Sequence, residues 1–249
     1  MADGDYHVEQ PRGAHTHTVI FLHGRDSYSR EFADEFFESE ASGPTEQPRK
    51  LRDLFPAIRW VFPSAPNLRS ERFGMEMFQW FDIWSVENPA ERPLLQMLGL
   101  RESITQILGV VEEEERLVPR EKIFLGGISQ GFAAVVMAYL SEMRGGFAGL
   151  IGLCSWMPPA LRTPEGEGPD MLGELQATFG SGQEVRPAPV FVGHSKDDDV
   201  VPIKNGRELR DAISSYCPQT EWREYEKGGH WINEPQGVDD IVGFLKKNM

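Results

Sequence analysis

The sequence predicts an α/β fold in which a mostly parallel central sheet is covered by helices on both faces. Short apolar runs bounded by turn residues recur along the 249 residues, and segments with helical periodicity separate them. Strands that are apolar on both sides are typical of parallel sheets packed between helices. The length fits a single domain, residues 1–249, that is large enough for a sizeable core.

Six segments have the composition of strands. Five are continuously apolar, whereas the sixth alternates and is therefore expected near a sheet edge. The predicted strands are 16–22, 58–62, 123–127, 149–155, 189–193 and 220–225. Between them, helical patterns cover 27–39, 99–117, 130–143, 205–215 and 235–247.

Two stretches do not follow this pattern. Residues 64–95 are rich in Met, Trp and Phe without clean periodicity, and long loops of this kind are often functional. We expect them to form a lid or pocket wall, with a substrate pocket that includes Met75, Met77, Phe78 and Trp80. Residues 159–185 are rich in Pro, Gly and Glu and predict a loop insertion with one short helix near 171–178. A disordered and a functional insertion are equal alternatives there.

The motif G-x-S-x-G occurs between a predicted strand and a predicted helix, as Gly127-Ile128-Ser129-Gln130-Gly131. An apolar run precedes it and a helical stretch follows it, which is the nucleophile elbow of the α/β-hydrolases. The turn is so tight that a side chain at either glycine would collide with neighbouring backbone. The sequence therefore predicts Ser129 as a nucleophile at a helix N-terminus, where developing negative charge is favoured.

An activated serine needs a base and a carboxylate that orients the base. In α/β-hydrolases the chain order is Ser, acid, His, and only His194 and His230 follow Ser129. His230 is the preferred base because it lies in a glycine-rich loop between a strand and the final helix. His194 directly follows a strand, where a structural hydrogen bond is the ordinary role. The acid is expected within Asp197-Asp198-Asp199, and spacing alone does not choose among the three.

An oxyanion hole needs two backbone N–H groups near the serine. One is expected from Gln130, the residue after the nucleophile. The other is expected from Arg25, in the loop after the first strand, where Gly24 allows close approach of the backbone. We expect His23 to pin this loop rather than to take part in catalysis.

Taken together, these residues resemble the phospholipase/carboxylesterase family, to which the acyl-protein thioesterases belong. The resemblance runs from Val19 to the end of the chain and rests on several motifs. These are 19–24 for the oxyanion strand and loop, Pro63-Ser64-Ala65-Pro66, Trp80-Phe81-Asp82, the elbow at 125–131, 153–158, 194–202 and 225–230. The resemblance implies an α/β-hydrolase fold with a short lid loop and a Ser-His-Asp triad. It aligns the catalytic acid with Asp198.

The resemblance also implies the chemistry. Members of the family are serine esterases or thioesterases that use no metal and no organic cofactor. They act on S-acylated proteins, lysophospholipids and small esters, with the acyl chain in an apolar channel, and they can form homodimers. Trp156 is expected in the pocket, and Phe132 stands where the family usually has a small residue, so its ring is expected to narrow or redirect the channel. The alternatives are a small-molecule carboxylesterase with little protein deacylation and a non-catalytic ligand-binding protein on the same fold.

Composition restricts the partners. A net charge of −14, from 25 basic and 39 acidic residues, argues against binding to nucleic acid and to anionic membranes. No run of apolar residues is long enough for stable insertion into a bilayer, and the acidic N-terminal residues do not resemble a signal peptide. Cys154 follows an apolar run and is expected as a buried thiol and not as a disulfide partner of Cys217. A cytoplasmic location is therefore expected.

Overall fold

The computed structural model describes residues 6–43, 45–158, 170–182 and 186–249. Nine strands are present in them: β1 (Tyr6–Glu9), β2 (His17–Leu22), β3 (Ile58–Pro63), β4 (Asn67–Arg69), β5 (Glu76–Phe78), β6 (Ile123–Ile128), β7 (Gly149–Leu153), β8 (Val190–Ser195) and β9 (Thr220–Tyr225). The α-helices of these residues are α1 (Ser29–Phe36), α2 (Leu51–Leu54), α3 (Met97–Glu115), α4 (Gln130–Glu142), α5 (Met171–Phe179), α6 (Ile203–Tyr216) and α7 (Gln236–Asn248).

Seven of the strands form one sheet in the order β1-β3-β2-β6-β7-β8-β9. All neighbouring pairs are parallel except β1 with β3, which is antiparallel. The predicted α/β class is therefore confirmed, and β9 lies at the sheet edge as its alternating pattern indicated. The strand β1 was not predicted, because four partly exposed residues at an edge carry little apolar signal.

Helices cover both faces of the sheet because successive strand residues point to opposite sides. In β2, Ile20 and Leu22 pack into a core formed with α3, α4, α5 and α6. Val19 and Phe21 pack into the opposite core, which α1, α2 and α7 help to form. Both clusters consist of buried apolar side chains, whose removal from water is the main force that holds such layers together.

The two irregular stretches have different outcomes. Within 64–95, β4 and β5 pair as an antiparallel hairpin, which was not predicted because each strand has only three residues. Of the 159–185 insertion, residues 159–169 and 183–185 lie outside the described residues, and the expected short helix is α5. In the part of the chain that the structure describes, no helix is long and apolar enough to cross a membrane.

The parallel strands place the predicted site residues at one edge of the sheet. Ser129 follows β6, Asp198 follows β8, His230 follows β9, and Arg25 lies in the loop after β2. In open parallel sheets the carboxyl ends of the strands are the usual position of a ligand site.

Candidate active site

Ser129 joins β6 to α4 in a strained turn. Its backbone has φ of 56° and ψ of −125°, a conformation that residues other than glycine adopt only when the surroundings enforce it. A Cβ atom at Gly131 would lie 2.5 Å from the carbonyl oxygens of Leu22 and His23. A Cβ atom at Gly127 would lie 2.7 Å from the carbonyl carbon of Gly131. Both glycines of the motif are therefore required by close contact.

Hydrogen bonds hold the serine in this conformation. The N–H of Ser129 donates to the carbonyl oxygen of Leu153 at 2.8 Å, and the hydroxyl of Ser155 donates to the carbonyl oxygen of Ser129 at 2.7 Å. Ser155 is fully buried. Reasoning from the sequence did not single out Ser155, although it lies in the matched segment 153–158.

His230 is oriented by Asp198, whose Oδ2 lies 2.8 Å from Nδ1 of the imidazole. With the carboxylate ionised, Nδ1 carries the proton and Nε2 is left as an acceptor. The other carboxylate oxygen accepts the backbone N–H groups of Val200 at 2.9 Å and Val201 at 2.8 Å. Burial disfavours ionisation of Asp198, but hydrogen bonds from His194 and His230 outweigh it and hold its pKa well below the ordinary value.

His194, the less favoured base, instead supports the acid. It is fully buried in β8, and its Nε2 lies 3.2 Å from Oδ2 of Asp198 and 2.9 Å from the carbonyl oxygen of Val201. This geometry fits the structural role expected for His194. The single Nε2 of His194 is shared between the Val201 carbonyl oxygen and the Asp198 carboxylate, so Asp198 contacts two imidazoles.

The three adjacent aspartates occupy different positions. Asp197 accepts the N–H of Gly229 through Oδ1 at 2.9 Å, and Gly229 adopts the left-handed conformation with φ of 60°. Asp199 is exposed. Asp198 is therefore the member of the group that contacts His230, and Asp197 holds the glycine loop before that histidine.

The loop after β2 is pinned by His23, as expected. Its ring is fully buried; Nδ1 donates to the carbonyl oxygen of Gly24 at 2.6 Å, and Nε2 accepts the N–H of Ala65 at 2.9 Å. Burial lowers the pKa of His23 to about 4, so the ring is neutral at physiological pH. A Cβ atom at Gly24 would lie 3.5 Å from Cβ of Ser129, which shows how closely this loop approaches the serine.

Gln130 has a role beyond its backbone that the sequence did not reveal. Its side-chain oxygen accepts the N–H of Trp80 at 2.9 Å, and its side-chain nitrogen donates to the carbonyl oxygen of Phe81 at 2.7 Å. The residue is fully buried. The elbow is thereby joined to the W-F-D segment of the 64–95 loop.

Ser129 and His230 line one pocket of about 220 Å³, together with Arg25 and Trp156. The exposed Glu35 is also part of its lining. Gly24, Ser27 and five apolar side chains form the rest of the wall; the apolar ones are Phe32, Val86, Ile128, Val200 and Trp231. Of the six predicted pocket residues, the structure brings only Trp156 to this pocket.

The other five lie outside this pocket. The ring of Phe132 fills the space beside Gly152, where a Cβ atom would lie 2.2 Å from it, so it points into the core instead of the pocket. Trp80 is fully buried and donates through Nε1 to the carbonyl oxygen of His23 at 2.9 Å. Met75 is 54% exposed near the hairpin turn, and Met77 is buried within β5.

Phe78 lines a separate and larger cleft of about 1120 Å³. This cleft lies beside the hairpin and includes neither Ser129 nor His230. Its size alone therefore does not mark it as the reactive site.

Cys154, Asp198 and His230 form a group of potential metal ligands, with ligand atoms within 4.8 Å of one another in the described residues. The thiol donates to the carbonyl oxygen of Trp231 at 3.3 Å, and burial raises its pKa. Metals bind the thiolate, which this environment disfavours. The expectation of a site without metal or cofactor stays a prediction.

The sequence is similar to known esterases and thioesterases. The Phospholipase/Carboxylesterase family model matches residues 3–249. Acyl-protein thioesterase 1 of Cryptococcus neoformans var. neoformans is 30% identical, covering 94% of this chain and 93% of its own length. The protein of the same name from Saccharomyces cerevisiae is 29% identical, with 93% and 92% covered.

Two solved structures are similar in fold. Acyl-protein thioesterase 2 from Zea mays superposes with a TM-score of 0.67 at 20% identity, covering 98% of this chain and 99% of its own. Esterase PE8 superposes with a TM-score of 0.68 at 20% identity, with 99% and 98% covered. The predicted α/β-hydrolase architecture is thus confirmed.

Proposed function

Because this chain belongs to the phospholipase/carboxylesterase family, we propose that it is a serine hydrolase that cleaves carboxylic esters or thioesters through an acyl-enzyme on Ser129. The observation that carries the proposal is one pocket lined by Ser129 at a strained elbow and by His230. The imidazole of His230 is held by Asp198 through Nδ1. This is the arrangement of nucleophile, base and orienting acid that acyl transfer requires.

Acylation begins when Nε2 of His230 takes the proton of Ser129 Oγ as that oxygen attacks the acyl carbonyl. The resulting oxyanion accepts hydrogen bonds from the backbone N–H groups of Gln130 and Arg25, which do not need to reorganise. Collapse of the tetrahedral intermediate expels the alcohol or thiol, to which His230 returns the proton. Water activated by His230 then attacks the acyl-enzyme and releases the acid.

Asp198 acts through His230. Its low pKa keeps it ionised throughout the physiological range, so it fixes the tautomer of the imidazole and stabilises the imidazolium formed in each half-reaction. Removing this charge without changing shape, as in Asp198→Asn, leaves a ring that can adopt the wrong tautomer.

Covalent labelling tests the nucleophile directly. A fluorophosphonate probe is expected to label the wild-type protein and not Ser129→Ala. Ser141→Ala is the matched control, because Ser141 is buried in α4 away from the elbow and its loss should leave labelling intact. Absence of labelling in the folded wild type would favour the non-catalytic ligand-binding alternative.

The substrate class is the finer part of the proposal. The relatives named acyl-protein thioesterase 1 support S-acylated proteins as substrates. A second candidate, a small-molecule carboxylesterase, is favoured by the pocket of about 220 Å³, because ligand clefts commonly measure roughly 300–1,000 Å³. A chain-length series of acyl esters and thioesters separates them. A sharp preference for short acyl groups supports the small-molecule esterase, and efficient cleavage of long-chain thioesters supports the deacylase.

Location and assembly complete the proposal. A cytoplasmic location is supported by the two cysteines, which are free and buried, since disulfides are rare in reducing compartments. A homodimer stays an expectation from the family resemblance alone. Fractionation of cells and sedimentation of the purified protein test these two points separately.

A further inference from the structure

Among the described residues, two that line the pocket beside Ser129 each carry a buried hydrogen-bond donor without an acceptor. The donors are Nη1 of Arg25 and Nε1 of Trp156. Trp156 is only 1% exposed. Buried polar groups in native proteins nearly always have partners, so each exception calls for a physical reason.

In the part of the chain that the structure describes, the guanidinium of Arg25 has no carboxylate in direct ion-pair contact and is attracted by carboxylates only at longer range. Burial and the neighbouring Arg72 lower its pKa, and Asp82, Asp26 and Glu87 oppose them through longer-range attraction. The guanidinium carbon lies 5.3 Å from the centre of the Phe73 ring, a contact that holds a cation without neutralising it.

Two carboxylates are the candidate partners of Arg25: Glu35, which lines the pocket, and Asp82, which does not. Glu35 is exposed, so solvent screens its charge. Oδ1 of Asp82 is buried and has no partner among the described residues, and a rotation that joined it to Arg25 is the competing explanation for the unpartnered Nη1. That explanation leaves the orphaned donor of Trp156 unaccounted for.

We propose that Arg25 and Trp156 bind an anionic group of the substrate, a carboxylate or a phosphate, inside the pocket of Ser129. The planar guanidinium suits either oxyanion, and the indole N–H is a donor only. The inference rests on the proposed function, because the anion must belong to an ester or thioester that Ser129 attacks. It narrows the substrate class to acidic esters and assigns Arg25 a specificity role through its side chain, separate from its backbone N–H.

Paired substrates test this binding site. On the acyl side, the pair is p-nitrophenyl hydrogen adipate and p-nitrophenyl heptanoate, in which a carboxylate replaces a terminal ethyl group. On the leaving-group side, the pair is the butyryl ester of hydroxyethyl phosphate and butyl butyrate. We expect the wild-type enzyme to prefer the anionic member of one pair in kcat/KM, and the preferred pair identifies which side of the ester carries the anion.

Two variants remove the donors. Arg25→Met is expected to lower the ratio of kcat/KM, anionic over neutral, by roughly 10- to 100-fold, as a lost charge-assisted hydrogen bond implies. Trp156→Phe is expected to lower the same ratio about tenfold or more, because the neutral indole N–H donates to a charged acceptor. The ratio is the readout because a disturbance of the oxyanion loop would slow both members of a pair alike.

Two matched controls should leave that ratio within about twofold of wild type. Arg72→Met removes a charge that stacks on the same Phe73 ring at 5.5 Å but does not line the pocket. Trp60→Phe removes an equally buried tryptophan whose Nε1 also has no partner among the described residues but which does not line the pocket.

The outcomes separate this inference from the proposed function. An unchanged ratio in Arg25→Met, with neutral esters still cleaved in a Ser129-dependent manner, overturns the anion site alone and means that water satisfies the donors. The anion site is also overturned if the ratio is unchanged, Arg25→Met and Asp82→Asn lower the stability equally, and the double variant is no less stable than either single variant. That result would favour an Arg25–Asp82 ion pair. Hydrolysis that survives in Ser129→Ala overturns the proposed function itself.

Discussion

Ser155 controls the peptide group on which the proposed oxyanion hole depends. Its buried hydroxyl donates at 2.7 Å to the carbonyl oxygen of Ser129, and that carbonyl belongs to the same peptide unit as the N–H of Gln130. The hydrogen bond therefore fixes the plane of this peptide and polarises the N–H of Gln130, the proposed oxyanion donor. Ser155→Ala removes the bond and little else.

The expected loss of stability depends on the hydrogen bonds that the Ser129 carbonyl oxygen keeps in the variant. The carbonyl oxygen of Ser129 keeps a second donor, the N–H of Ala133 at 3.2 Å, so it is not left unsatisfied. We therefore expect Ser155→Ala to lower the free energy of unfolding by about 1 kcal/mol, the value of one ordinary hydrogen bond. This corresponds to a fall in Tm of about 2–4 °C. A similar loss of transition-state stabilisation would lower kcat/KM about fivefold.

Ser141 provides the matched control. It is equally buried, but its hydroxyl has no hydrogen-bond partner in the described residues, so Ser141→Ala loses no hydrogen bond and should not lower the free energy of unfolding. Chemical denaturation gives the free energies, and hydrolysis of a neutral p-nitrophenyl ester gives kcat/KM. The reasoning is refuted if the two variants have the same stability and the same kcat/KM.

Three further predictions concern the acid, the pinned histidine and the elbow. Asp198→Asn should lower kcat by about 10³–10⁴-fold, whereas Asp197→Asn, which keeps an oxygen acceptor for the loop, should lower it less than about tenfold; steady-state kinetics on one ester decide between them. His23 is neutral in the fold with a pKa of about 4, but it titrates near 6.5 when unfolded. Its contribution to stability is therefore complete above about pH 6.5 and decreases, by up to about 1.4 kcal/mol per pH unit, as the pH falls toward 4. A denaturation series should show this slope in the wild type and lose it in His23→Gln. Gly131→Ala should cost about 3 kcal/mol or more because of its backbone contacts, while Gly109→Ala in α3, where a Cβ meets nothing within 4 Å, should be stabilising by about 1 kcal/mol; thermal unfolding of both variants provides the comparison.

Most of the fold was predictable because its signals are local. The five buried parallel strands are short apolar runs, and the turn at Ser129 carries its glycines within five residues. The hairpin of β4 and β5 was missed because three-residue strands have no measurable period. The edge strand β1 was missed because it is polar and half-exposed.

The pocket was less predictable because it depends on packing between distant segments. An aromatic residue next to a reactive serine suggests a pocket wall, but Phe132 turns into the core because Gly152, on a neighbouring strand, leaves room for its ring. Trp80 is drawn inward because His23 and Gln130 supply partners for its two N–H groups. The orientations of these two side chains depend on contacts with residues about 20 to 60 positions away, so no local sequence pattern predicts them.

The side chain of Gln130 has a consequence for engineering. Its amide is hydrogen-bonded to the backbone of both Trp80 and Phe81. The 64–95 loop and the elbow are therefore coupled, and one cannot be replaced without regard to the other. A graft that replaced this loop with one from a relative would succeed only if the incoming loop presented an N–H and a carbonyl oxygen to the same amide. Changes to this loop are therefore better confined to exposed positions of the turn between β4 and β5, such as Met75, than made at Trp80 or Phe81.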